Sequence, residues 1–235
     1  RDRSPPRGLG DVYKRQGEHA LAAVKFATRR GDKVNVAVAS SFISLEQAYT
    51  NLREVEGKDL EAVKADAKAR WNDILGRIEV SGGSTDQYRT FYSCLYRSTL
   101  FPRKFYEIDK DGKVLHYSPY NGKVCEGYMY TDTGFWDTFR ALFPLLNLVY
   151  PSINKEIQLG LVNIAKENPF LPEWASPGHR GCMVGNNSAS VVADAIMKGV
   201  STEDLDTLYR AIVYGTEHVH PQVNSSGRLG HEYYN

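Results

Sequence analysis

Apolar residues recur at helical spacing through most of the chain. Ser44 with Gln47 three residues on makes a capping box, and Leu45, Ala48, Tyr49, Leu52 and Val55 then follow at i, i+3, i+4, i+7 and i+10. After Gly57 the stripe continues through Leu60, Val63, Ala67, Trp71, Ile74 and Ile78 and stops at Gly82-Gly83. A second capping box, Ser84 and Gln87, starts an aromatic-faced helix with Tyr88, Phe91, Tyr92, Leu95, Tyr96 and Thr99, halted by Pro102. Residues 103–130 change character. RKFYEI and VLHYS flank Lys110-Asp111-Gly112-Lys113, whose Asp-Gly pair suits a type I′ turn, so a hairpin is expected between helices. Further helices are predicted over 135–150, with Pro144 inside and Pro151 after it, over 152–168, over 188–198 with Gly199 behind it, and over 201–214 with Asp204 at a capping position. The start differs too: Val-rich 34–41 (VNVAVASS) reads as a strand that pairs with 20–28 across the turn RRGDK.

No fixed period links these helices, which disfavours a regular solenoid and leaves a bundle or an α/α toroid. Two connections, 127–136 (GYMYTDTGFW) and 168–187 (NPFLPEWASPGHRGCMVGNN), gather aromatic, acidic, amide and glycine residues beyond the needs of a turn, and are expected to wall a pocket. The 29 Lys+Arg against 28 Asp+Glu leave a net charge of +1, so no charge excess draws the chain to nucleic acid or an anionic membrane, and no apolar run reaches spanning length. The three cysteines, Cys94, Cys125 and Cys182, have no zinc-finger spacing and read as packed or free thiols. Residues 1–16 lack periodicity, and 8–16 (GLGDVYKRQ) resemble a translated sequencing-adaptor scar, so they are read as non-native. The chain is expected to continue beyond the aromatic HEYYN of 231–235.

Chemistry is concentrated at Trp136-Asp137. An indole offers a platform for the C–H face of a pyranose, and a first-turn carboxylate can accept two of its hydroxyls. The alternative is that Trp136 is core and Asp137 only a favourable helix-start residue. Arg140 is placed to pair with Asp137, for a structural or a functional purpose. The stretch 181–187 (GCMVGNN) brings Gly185, Asn186 and Asn187 to a helix start, which suits close approach of backbone N–H groups to a polar ligand or, equally, a plain loop-to-helix junction. It lacks the lysine and hydroxyl of a phosphate loop. His179, His218, His220 and His231 have no zinc spacing and read as surface or supporting histidines, and no GxSxG supports acyl transfer.

The blocks SFISLEQAYTNL (41–52), FYSCLYRSTLFP (91–102), GFWDTFRALFPLLNLVYP (134–151), LPEW (171–174), GCMVGNNSASVVADAIMKG (181–199) and GHEYYN (230–235) resemble, in order, glycoside hydrolase family 92, the calcium-dependent exo-α-mannosidases. The resemblance implies a mainly α chain: residues 17–43 would end an N-terminal β-sandwich-like domain, 44–80 would be linker helices, and 81–235 would form the N-terminal half of an (α/α)6 toroid, with the β-hairpin inserted. It implies hydrolysis of terminal α-mannosides with inversion, which needs an acid and a base about 6.5–9.5 Å apart. In the family both lie downstream of HEYYN, so no catalytic residue falls here and the chain alone would be inactive. By motif, Trp136 and Asp137 would contribute to the mannose subsite, with Gly185, Asn186 and Asn187 beside it. Calcium is the implied cofactor, its ligands mostly elsewhere, and the implied partner is a mannose-containing oligosaccharide, with no nucleic acid or membrane and a monomeric full-length enzyme. The family implies a periplasmic, cell-surface or secreted location. His179-Arg180 departs from the Glu-Thr pair frequent in the family, which leaves leaving-group specificity open. A non-catalytic helical carbohydrate-binding or scaffold module and an α/α-toroid hydrolase of glucosides stand as alternatives.

Overall fold

The computed structural model describes residues 21, 23–183, 185–221 and 223. The adaptor-like 1–16 and the HEYYN block lie outside them. The chain separates into two units at Val36 and Ala37. In the described part of the first, the RRGDK turn forms: Asp32 N donates to Arg29 O (3.1 Å) and Arg29 N to Asp32 Oδ2 (2.7 Å). The strands expected around it do not. Among the described residues no ladder forms over 21–43, and Val34, Val36 and Val38 are exposed. A lone two-stranded ribbon has no neighbour on which to bury its valines, so pattern alone does not hold it.

The second unit begins with helices α1 (Leu45–Leu52), α2 (Leu60–Leu75) and α3 (Thr85–Ser98), with a 3-10 turn, Arg53–Val55, after α1. The two capping boxes differ. At α3 both halves are made, Gln87 N to Ser84 Oγ (3.3 Å) and Ser84 N to Gln87 Oε1 (2.8 Å). At α1 Ser44 Oγ accepts from Gln47 N (3.0 Å), but the Gln47 amide turns away to donate to Ile108 O (2.7 Å) and Asn51 Oδ1 (2.9 Å). Ser41 Oγ takes the Ser44 N–H instead (3.2 Å).

The expected hairpin is a three-stranded meander, β2 (Glu107–Ile108), β3 (Val114–Tyr117) and β4 (Val124–Glu126), while β1 (Arg103–Lys104) pairs separately with β5 (Tyr130–Thr131). Its turn is not type I′. Only Gly112 has positive φ (+82°), and Asp109 organises the loop: its N–H reaches Lys113 O (2.9 Å) and its Oδ1 accepts from Asp111 N and Lys113 N (both 2.8 Å). That is a three-residue loop with glycine at the left-handed bulge position.

β6 (Thr133–Gly134) leads into α4 (Phe135–Thr138), α5 (Leu142–Val149) and α6 (Pro151–Glu167); β7 (Trp174–Ala175), α7 (Asn187–Met197) and α8 (Leu205–Glu217) follow. The single helix expected over 135–150 is two because Pro144 falls in the first turn of α5, where its missing N–H costs no bond but its ring bars continuation from upstream. α8 begins later than expected: Asp204, at φ +54°, is its N-cap, with a side chain that accepts from the Thr207 hydroxyl (3.4 Å) rather than from a helix backbone N–H, and Gly215 lies within it. Helix α6 is central, with Ile157, Leu161 and Ile164 buried and α5, α7 and α8 packed around it. Phe135 and Phe143 stack (5.7 Å), and buried Tyr150 donates its hydroxyl to Ile74 O (3.0 Å), fastening α2 to this core. No helix among the described residues is long and apolar enough to cross a membrane.

Candidate functional site

The site is assembled where β6 pairs with β7, Thr133 opposite Ala175 and Gly134 opposite Trp174. Asp132, just before β6, adopts φ +60° and is held by Arg103 Nε on its Oδ2 (2.6 Å) and by Ser176 Oγ on its Oδ1 (3.2 Å). The strand then delivers Phe135 N to Glu173 O (2.9 Å), which fixes the start of α4. A Cβ on Gly134 would lie 3.0 Å from Asp137 Oδ2, 3.3 Å from Trp174 Cε3 and 3.4 Å from Met183 Sδ. Glycine there lets an acid, an indole and a thioether converge over bare backbone.

Trp136 and Asp137 are both exposed on α4, so neither is core. Arg140 does not pair with Asp137. Its guanidinium lies over the Trp136 ring (5.0 Å) and the Phe139 ring (5.3 Å), an alternative open to a planar cation beside an aromatic pair. α4 is one four-residue turn, too short for the helix-dipole benefit expected at Asp137.

Gly185 (φ +85°) and Asn186 are exposed, and Asn187 opens α7, which packs against α4. The structure therefore brings the 136–137 pair and the 185–187 block to packed neighbours. Of the N–H groups in that block, the one of Asn187 is engaged from within: it donates to Glu173 Oε2 (2.8 Å), and from the next residue Ser188 N (3.4 Å) and Oγ (3.0 Å) donate to Oε1. Glu173 is 1% exposed. Burial raises its carboxyl to about 7, against the opposing pull of the hydrogen bonds from Asn187 and Ser188. Sequence reasoning missed this residue although LPEW contains it; the available signal was one acid inside an otherwise apolar Leu-Pro-Glu-Trp loop.

Of the expected pocket walls, 168–187 lines a cavity of about 700 Å³ between Tyr120, Phe170, His179, Tyr214 and His220. His179 and His220 are not surface histidines: their rings meet at 4.5 Å, His220 against Phe170 at 4.7 Å, and burial with the neighbouring His220 lowers His179 to about 4. His218 is exposed and stacked on Tyr214 (3.8 Å), and His231 lies outside the described residues. The departing pair His179-Arg180 borders this cavity, folded back on β7 by Arg180 N to Trp174 O (3.1 Å) and Arg180 Nε to Ser176 O (2.9 Å). Trp136, Asp137 and 185–187 stand outside it.

Residues 47–235 match the glycosyl hydrolase family 92 catalytic domain, and the chain belongs to that family. Among solved structures it is similar to a family GH92 inverting mannosidase from Bacteroides thetaiotaomicron VPI-5482, at 52% identity and TM-score 0.80 over 83% of this chain and 26% of that one. It is also similar to a family GH92 α-mannosidase from Bacteroides thetaiotaomicron in complex with mannoimidazole, at 29% identity and TM-score 0.66 over 73% of this chain and 22% of that one. The chain thus spans about a quarter of the first structure's length. No curated protein matches.

Proposed function

We propose that the chain is part of an inverting exo-α-mannosidase and builds one wall of its mannose subsite. The observation that carries this reading is the 52% identity to an inverting mannosidase over 83% of the chain. Trp136 would stack on the sugar's C–H face and Asp137 would accept two hydroxyls, roles for which their exposure beside the start of α7 leaves both side chains accessible. Asn186 and Asn187 would add amide contacts, with Gly185 permitting close approach. The ligand is a mannose-containing oligosaccharide. The acid and base of inversion would come from the larger share of the relative's length that this chain does not span, where the remainder of an (α/α)6 toroid and a β-sandwich-like domain would also lie.

Calcium is the cofactor expected in the family, and it takes six to eight oxygen ligands. Among the described residues no group of three acidic side chains converges to hold it. The group of donors that converges among them mixes imidazole, thiol and carboxylate, so no step is routed through calcium here.

In the full-length enzyme, Asp137→Ala is expected to lower kcat/KM on an aryl α-mannoside at least about a hundredfold, the loss of two charge-assisted hydrogen bonds. Proton NMR of the first product should show the β-anomer. Undiminished turnover in the variant would remove Asp137 from the subsite, and an α-anomer would exclude inversion.

A further inference from the structure

We propose that His116, Cys125 and Glu167 form a zinc site that clamps the β3–β4 ribbon to the C-terminal end of α6. His116 and Cys125 are directly opposed in the antiparallel register, which puts both side chains on one face of the ribbon, and Glu167 is the last residue of α6. One donor atom from each lies within 4.8 Å of the others. Tetrahedral zinc, with bonds of about 2.0–2.3 Å, holds its donors about 3.3–3.8 Å apart, so closure asks for roughly an ångström of side-chain rotation.

Two features of the cluster point to a cation. His116 is fully buried, and its Nδ1 lies 2.8 Å from Gly127 O, the backbone-carbonyl contact that fixes a metal-binding imidazole with Nε2 outward. That Nε2 faces Glu167 Oε1 at 2.8 Å, so two acceptors meet unless a proton or a metal ion stands between them. The Glu167 side chain is only 9% exposed, and its Oε2 is buried with no hydrogen-bond partner. An unpaired carboxylate oxygen in such a place is costly, and an ion would satisfy it.

The donor set selects the metal. Thiolate and imidazole favour zinc over calcium or magnesium, and one thiolate plus one carboxylate neutralise the double charge, with water as the fourth ligand. Binding would release the Cys125 thiol proton, and any proton on His116 Nε2, to solvent.

Zinc titrated into the reduced chain against a chromophoric chelator is expected to fill one site and raise the unfolding midpoint by about 5 °C or more at saturation. Cys125→Ser, nearly isosteric at a half-buried position, should weaken binding at least about a hundredfold, while Cys94→Ser on exposed α3 should not. With cobalt(II) in place of zinc, a thiolate-to-metal charge-transfer band should appear in the wild type and Cys94→Ser and vanish in Cys125→Ser. Absence of binding, equal affinity in the wild type and Cys125→Ser, or a band that survives Cys125→Ser would overturn the site. Circular dichroism establishes that Cys125→Ser is folded. Glu167→Gln, which preserves shape but not charge, provides the second variant, and its retention of wild-type zinc affinity would likewise overturn the site. Mannoside turnover enters none of these readouts.

Discussion

Glu173→Ala is expected to destabilise the chain by about 2–4 kcal/mol, because Asn187 N, Ser188 N and Ser188 Oγ all lose their acceptor in a site where Glu173 is 1% exposed. Glu173→Gln should behave differently. Its carbonyl can accept from Asn187 N and its amide can donate to the Ser188 hydroxyl, whose rotor is free to reverse. The two variants separate the hydrogen-bonding role from the charge. The folded carboxyl, raised by burial to about 7 from an ordinary 4.5, binds its proton more tightly than the unfolded one. Its favourable contribution is therefore full below pH 4.5 and is lost as pH rises through 7, a linkage of about 3 kcal/mol in all. Urea unfolding at pH 5 and pH 8 should show the wild type losing about 2–3 kcal/mol relative to Glu173→Gln across that interval. Superimposable pH profiles would mean that the charge is not desolvated in the fold. In the full-length enzyme Glu173→Ala should also weaken mannoside binding, since it frees the first turn of α7 that presents Asn186 and Asn187.

What the sequence revealed and what it hid divides along the range of the interactions. Ser84 and Gln87 satisfy one another across three residues, so their box is legible and complete. Ser44 and Gln47 have the same spacing, yet Gln47 is drawn to Ile108 O, 61 residues away, and half the box is lost to a tertiary contact no local pattern encodes. Pro144 carried the split of the 135–150 helix in plain view, but uniform hydrophobicity on either side masked it. The valines of 34–41 gave a strand signal that needs neighbours to be realised. In the proposed subsite, Trp136 and Asp137 stand out in the sequence because an indole and an acid adjoin at a helix start. Glu173 was not, because its partners are 14 and 15 residues downstream and its own surroundings are apolar. The His116–Cys125–Glu167 group was invisible for the same reason: its spacing of 9 and 42 residues matches no metal motif and becomes proximity only through strand register and helix length.

A buried polar chain fixes the helices behind the site, and breaking it is expected to have an effect as large as the loss of Glu173. Gln158 Nε2 donates to Asn154 Oδ1 (3.3 Å), Asn154 Nδ2 to Asn147 Oδ1 (2.5 Å) and Asn147 Nδ2 to Asp194 Oδ2 (2.7 Å), where Lys198 Nζ closes the line (2.8 Å). It runs through α6, α5 and α7, and Asn154 is wholly buried. Asn154→Leu leaves Asn147 Oδ1 and Gln158 Nε2 unpaired out of water and should cost about 3–4 kcal/mol in urea unfolding. Asn147→Leu should cost a similar amount for its neighbours. The double variant removes a donor together with its own acceptor, so it is expected to cost at least about 1 kcal/mol less than the two singles together. Additivity within about 0.5 kcal/mol would show the amides acting independently. Coupling is the physically interesting outcome, because hydrogen-bonded amides tolerate far less sliding than apolar contacts between helices. Such a chain sets the rotation of α7 against α5 and α6, and through it where the amides at the start of α7 stand relative to Trp136 and Asp137.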